Sequence, residues 1–245
     1  MTLTAGKENF QALNASIREL LLKHDTLELD DVNGQRYIGA ALPAGKTILL
    51  HGTPGNDMGA YLNGGSIEVF GNGQEATGNT MGGGKIIVHG HVGDTLGYAM
   101  RDGEIFVEKR AGCRAGIHMK EFEAMQPVVV IGGVAGAFLG EYMAGGTLVV
   151  LGLDNPEHLP IIGAHCATGM HGGRIFIRGK VPTENVSEHI TVTTELDDKD
   201  RADLERIVKQ YCTLFSASPE AVFSEPFTKL IPTTSRPYAN LYTPN

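Results

Sequence analysis

From Ala44 onward the chain repeats itself every nineteen residues: AGKTILLHG from Ala44, NGGSIEVFG from Asn63, GGGKIIVHG from Gly82 and RDGEIFVEK from Arg101. A fifth copy begins at Met125, five residues late, and a sixth, AGGTLVVLG, at Ala144. A seventh, HGGRIFIRG, begins at His171, 27 residues further on, which leaves eight extra residues around Leu153–Leu159. A fixed period in this range marks stacked structural units, each too small to bury its own apolar face.

Within the block, numbered from zero, position four is Ile48, Ile67, Ile86, Ile105, Val129, Leu148 and Ile175. Position six is Leu50, Val69, Val88, Val107, Ile131, Val150 and Ile177. Two apolar, mostly β-branched sites two residues apart put both side chains on one face of a short strand. Positions three and seven are mostly polar and face the other way: Lys85, Glu104, Arg174, His51, Glu108 and Arg178. Glycine closes the strand at position eight (Gly52, Gly71, Gly90, Gly133, Gly152, Gly179), with Lys109 the exception, and recurs at position fifteen (Gly59, Gly78, Gly97, Gly116, Gly140). Position eighteen is Leu62, Met81, Met100, Met119, Met143 and Met170, a third inward column in which an unbranched thioether can adapt to a corner of the core.

Units of this kind become stable by stacking, with equivalent residues one above another at strand spacing, ~4.8 Å per rung. The expected fold is an all-β solenoid, a single-stranded parallel β-helix over residues 44–181, with about seven rungs. Residues 1–43 form an N-terminal cap. Phe10, Leu13, Ile17, Leu20 and Leu21 have helical spacing, a strand-like run covers Thr26–Leu29, and Asn33-Gly34 is a turn signal between two strands. Residues 182–245 form a C-terminal segment. Thr191–Glu195 reads as a strand, and Asp197 or Asp198 N-caps a helix through Cys212 with Leu204, Ile207, Val208 and Tyr211 on one face. Ser224–Asn245, holding four of the 11 prolines, reads as an extended arm with Phe227, Leu230, Tyr238, Leu241 and Tyr242 as its apolar teeth. Outward-facing position five (Leu49, Ile87, Phe106, Val149, Phe176) is apolar enough to need covering, by self-association or by the terminal segments.

Composition narrows the function. A formal net charge of −8 and a pI near 5.6 argue against nucleic acid or an anionic membrane as partner. No apolar run approaches the ~18 residues of a bilayer span. The opening MTLTAGKENF lacks a basic-then-apolar signal pattern, and three scattered cysteines (Cys113, Cys166, Cys212) suit a reducing compartment, so the expected location is the cytoplasm.

Candidate chemistry is thin. Gly82-Gly83-Gly84-Lys85 leads into a strand, whereas a phosphate loop leads into a helix. His51 and His89 share position seven but lie two rungs apart, roughly 10 Å at strand spacing, too far to share one zinc. His165, Cys166 and His171, and Cys113 with His118, each lack further ligands at usable spacing. Position twelve places Asn56, Glu75, Asp94 and Cys113 in a column whose acids suit hydrated turns as well as calcium or sugar. The expectation is therefore no catalytic, cofactor-binding or metal residue in this chain.

Several runs carry a resemblance: NGQRYIGA at Asn33–Ala40, HGTPGNDMGAYLNGG at His51–Gly65, GNTMGGGKIIVHG at Gly78–Gly90, IGGVAGAFLGEYMAGGTLVVLGL at Ile131–Leu153 and TGMHGGRIFIRG at Thr168–Gly179, with the tail motif Arg236-Pro237-Tyr238. The chain resembles the GXGXG domain, the C-terminal β-helix of the glutamate synthase large subunit, in the standalone form of archaeal-type enzymes. It is also similar to the β-helix component of formylmethanofuran dehydrogenase and to a component of N-methylglutamate synthase. The resemblance implies a right-handed β-helix without catalytic residues. It would brace a glutaminase component against a synthase component that carries FMN and iron–sulfur clusters, and help close the ammonia path between them. It implies cofactors only in partner subunits. The sequence agrees in that it opens Met1-Thr2, where a glutaminase needs a processed N-terminal cysteine, and lacks a cysteine cluster for an iron–sulfur centre.

Overall fold

The computed structural model describes residues 1–153 and 155–234. The Arg236-Pro237-Tyr238 motif and the teeth at Tyr238, Leu241 and Tyr242 lie outside the described residues. The elements are β1 (Thr2–Thr4), α1 (Phe10–Leu21), β2 (Thr26–Asn33), β3 (Thr47–Thr53), β4 (Asn63–Phe70), β5 (Gly82–Val88), β6 (Asp102–Val107), β7 (Val128–Ile131), β8 (Ala144–Val150), β9 (Gly172–Arg178), β10 (Ile190–Thr193), α2 (Asp198–Phe215), α3 (Pro219–Phe223) and β11 (Phe227–Pro232). All the strands join one 11-stranded sheet in the order β1 through β9, then β11, then β10. Neighbours from β1 to β9 pair in parallel, so the fold is the expected parallel β-solenoid.

The register follows the repeat. Ile48, Ile67, Ile86, Ile105, Val129, Leu148 and Ile175 are successive partners, and all are fully buried. Position eighteen is buried from Leu62 to Met170 as well. The two insertions leave this register intact, because both loop out between strands.

One expectation fails. Asn33-Gly34 does not turn a hairpin: β2 runs parallel to β3, with Leu27 opposite Ile48 and Leu29 opposite Leu50. The run Thr26–Leu29 is itself a rung strand, two residues out of period: a bulge in β2 between Leu29 and Val32 takes up one extra residue, and the stretch between Pro43 and Thr47 takes up the other. Residues 35–43 then build the same corner as every later rung, and the parallel stack begins ahead of Ala44. The helix α1 closes its first end, burying Leu13 and Ile17 in the core that the rungs share.

Two further inward columns emerge from the packing. Position ten (Val92, Ala111, Ala135, Ile162) forms a chain of single parallel bridges, and position fourteen buries Met58, Thr77, Leu96, Ala115, Leu139 and Cys166. The glycine of position fifteen has a steric reason. At Gly78, φ is +72° and an added Cβ would overlap the side chain of Ile105, two copies of the repeat further on. Its N–H donates to the Met58 carbonyl one rung back (2.9 Å), which continues the inter-rung ladder around the corner.

At the other end β11 pairs antiparallel with β9, and β10 antiparallel with β11, so part of the proline-rich arm lies on the molecule with Phe227 and Leu230 buried. This hairpin ends the parallel stack. Of the two expected N-caps of α2, Asp197 is the one used, and its side chain and that of Asp200 form a reciprocal capping box. It lies over the outside of the sheet. Among the described residues, no helix is long and apolar enough to cross a membrane.

Candidate functional site

The outer face of the sheet, formed by positions three, five and seven, carries the interactions that the repeat does not dictate. Over β6–β9 it is apolar: Phe106, Val128, Val130, Val149 and Phe176 are buried there against Leu204, Ile207, Val208, Tyr211 and Cys212 of α2. The terminal segment, not self-association, covers this part of the stripe.

Polar contacts fix α2 along its length. At its start, Asp200 is buried and accepts from Arg174 of β9 (Nη1, 3.0 Å) and from Lys229 of β11, while the other guanidinium nitrogen of Arg174 pairs with Asp203. Burial by itself pushes the Asp200 carboxyl up. The hydrogen bond and charge of Lys229, the Arg174 bond and the Asp197 backbone N–H outweigh it, so its pKa lies below the ordinary 3.8. Mid-helix, Arg206 and Gln210 reach Glu104 of β6 at 3.3 and 2.7 Å. Near its end, the Tyr211 hydroxyl donates to the Glu108 carbonyl (3.0 Å), and a Cβ at Gly132 would collide with that hydroxyl. The last residue of the helix, Phe215, meets His89 edge to face at 5.2 Å.

Beyond β5 the same face has no cover from the described part of this chain. Phe70 lies between His51 and His89, stacked on each at 4.9 and 5.1 Å. A whole aromatic ring thus separates the two histidines, as their rung spacing requires. Each histidine pairs with a position-five glutamate one rung earlier: His51 Nε2 with Glu28 (2.9 Å) and His89 Nε2 with Glu68 (2.8 Å). Glu28, Asp30 and His51 form the one trio of potential ligand atoms among the described residues, all within 4.8 Å of one another. Three ligands would leave the rest of any coordination sphere to water. The period alone could not reveal this trio, because β2 is two residues out of step. Aligning Thr26-Leu27-Glu28-Leu29 on Thr47-Ile48-Leu49-Leu50 would have found it.

The other sequence candidates do not converge. Cys166 points into the core and burial pushes its thiol up to about 12, while His165 stacks on Phe138 at the surface and His171 binds the Gly169 carbonyl. Cys113 is held through its N–H by Asp94 (2.8 Å), and His118 sits between Tyr98 and Tyr142. The position-twelve carboxylate of Asp94 therefore serves as a rung-to-rung acceptor. Gly84 lies in β5, where a Cβ would strike the Gly65 carbonyl; this glycine serves rung stacking. Of the insertions, the earlier one offers Glu121 to the Gly146 N–H (2.8 Å), and the later one is pinned by Arg110–Glu157 (3.3 Å) and by the Asn155 side chain across Leu159.

Known proteins resemble this chain in sequence or in fold. An uncharacterized protein of Methanocaldococcus jannaschii is 40% identical over 258 aligned positions, covering 100% of this chain and 97% of its own. A chain of the formyltransferase/hydrolase complex of Methylorubrum extorquens, solved with methylofuran, superposes with a TM-score of 0.62 at 22% identity, covering 82% of this chain and 71% of that one. That likeness is one of fold. The model of the GXGXG motif family matches residues 26–233, from the start of β2 to just past the end of β11, and the chain belongs to the GXGXG motif family.

Proposed function

We propose that this chain is a non-catalytic scaffold subunit of a multi-subunit enzyme, and that the enzyme is a glutamate synthase forming two glutamates from glutamine and 2-oxoglutarate. The observation that carries the reading is the family match over nearly the whole strand stack, joined to the motif runs at His51–Gly65 and Ile131–Leu153 that resemble the glutamate synthase β-helix. A stack tied rung to rung by backbone hydrogen bonds is rigid before it meets a partner and loses little entropy on docking. In this role it braces a glutaminase subunit against a synthase subunit that carries FMN and iron–sulfur clusters, and walls the ammonia path between them. The chain itself needs no cofactor, and the reaction takes place in the cytoplasm.

A second reading has its own support: the solved neighbour belongs to a formyltransferase/hydrolase complex, so the same scaffold fits a formyl-transferring assembly. Affinity purification of the tagged chain from its native cells, with mass spectrometry, separates the two. Co-purification of a glutaminase and a flavin–iron–sulfur synthase, with glutamate formation by the assembly, supports the first. Recovery of formyl-transfer subunits moves the scaffold to the second, and a partnerless chain overturns both.

A further inference from the structure

The outer face of the sheet is half covered, and helix length sets the boundary. At ~1.5 Å per residue, the 18 residues of α2 reach about 27 Å, or five to six strands at ~4.8 Å each. The helix begins over β11 and β9, where Lys229 and Arg174 hold Asp200, and ends over β5, where Phe215 meets His89. There Ser216 turns with φ +54° and the chain doubles back through α3. Among the described residues nothing covers the face over β2–β4, where Leu49 is half-buried and Phe70 42% exposed.

The bare part has a definite charge. Its outward positions on β2–β5 carry three acids, Glu28, Asp30 and Glu68, against one lysine, Lys85, whose ammonium is engaged by Glu104 at 3.2 Å. On the covered part the chain shows its own solution to this surface. An apolar stripe on α2 lies across position five, and Arg206 on the helix flank pairs with the sheet acid Glu104.

We infer that the face over β2–β4 docks an amphipathic helix of about three turns from a partner subunit, lying in line with α2, with apolar residues on Leu49 and Phe70 and arginine or lysine on its flanks for Glu28, Asp30 and Glu68. The inference rests on the subunit reading above. It adds where the partner sits and what chemistry its contact has. Acids flanking a narrow apolar stripe reject an acidic helix by like charge, so the same groups that attract a basic partner also discriminate.

The test uses the native assembly. The tagged full-length chain, with p-benzoylphenylalanine in place of Phe70, is expressed in its own host, irradiated and purified. Parallel preparations carry Phe70→Asp, and Glu28→Lys with Glu68→Lys. An adduct at residue 70 to a basic amphipathic segment of another polypeptide is expected, with a tenfold or greater drop in recovery of that polypeptide for both variants. The unfolding midpoint of each isolated variant, expected to stay near wild type, separates lost docking from lost folding. Undiminished recovery of partners without an adduct at residue 70 overturns the docking face and leaves the subunit reading standing. An adduct to a second copy of this chain overturns it in favour of self-association. If the unaltered chain recovers no partner, the subunit reading fails and takes this inference with it.

Discussion

The two halves of the outer face share one strand register and differ in what lies over them. Over β6–β9, position five is Phe106, Val130, Val149 and Phe176, all fully buried. Over β2–β4 it is Glu28, Leu49 and Glu68. The inner face cannot differ in this way, because every rung must fill the same lumen. The outer face can, so the repeat specifies the solenoid while departures on its outside specify what the solenoid meets. In this chain one half meets its own helix, and the other half carries an acidic, aromatic surface suited to a foreign one.

The largest effect should come from removing a covered aromatic. Phe176→Ala strips a fully buried ring from between β9 and α2 and is expected to destabilise by about 3–5 kcal/mol, read by urea unfolding. A loss under 1 kcal/mol would mean that α2 is only loosely seated and that the two halves are less different than the packing says. Asp200→Ala comes next, at about 3 kcal/mol, because it leaves Arg174 and Lys229 facing one another without their shared carboxylate. Hydrogen exchange should then quicken in α2 while the β3–β8 amides stay protected.

The same cluster sets a pH dependence. The folded Asp200 pKa lies below its unfolded value, so the unfolded chain binds more protons in that window and stability rises with pH. The contribution is complete above about pH 4 and is lost as pH falls through the depressed folded value. Asp203, Asp197, Arg174 and Lys229 are the charged groups gathered around Asp200. Protection of α2 should therefore fall on acidification before that of the strands, and Asp200→Asn should flatten this difference.

Thiol reactivity orders the same layers without a mutation. Cys113 is half-buried at a corner, Cys212 is buried on α2 with its pKa raised by burial and then by Glu220, and the thiol of Cys166, sealed in the lumen, is pushed up to about 12. With a disulfide reagent at mildly alkaline pH and rising urea, Cys113 should react first, Cys212 when α2 lifts, and Cys166 only with the rungs. Simultaneous release of Cys212 and Cys166 would merge the covered half with the core into one cooperative unit.

Much of this was legible in the sequence, for a physical reason. Positions four, six and eighteen point inward in every rung, so their columns survive insertion and drift, and Asp197 announced α2 through its capping chemistry. Position fourteen stayed hidden because Met58, Thr77, Ala115 and Cys166 share no side-chain type; only their burial unites them. The β2 rung stayed hidden because it is two residues longer than the period and because Asn33-Gly34 has hairpin chemistry in a chain that does not reverse there. The Glu28–His51 pair depends on that rung, so it too waited for the structure. Nothing in the repeat gave the length of α2 relative to the sheet, and that length decides where cover ends.

The smallest expected effect is the most discriminating. Phe70 and Phe176 both stand on the outside of one sheet, yet Phe70→Ala in the isolated chain should cost only about 1 kcal/mol, the value of its stacking on His51 and His89. It keeps 42% of its surface in water, so less hydrophobic burial is lost than at a sealed site and no enclosed cavity forms. Thermal unfolding of the isolated chain measures this directly. A cost of about 3 kcal/mol or more, the range of a buried ring, would show that Phe70 already belongs to a packed layer within this chain. The bare half would then be a finished surface with no room for a partner. A cost near 1 kcal/mol leaves an aromatic residue that contributes little to its own fold, and such a residue has its use in contact with something else.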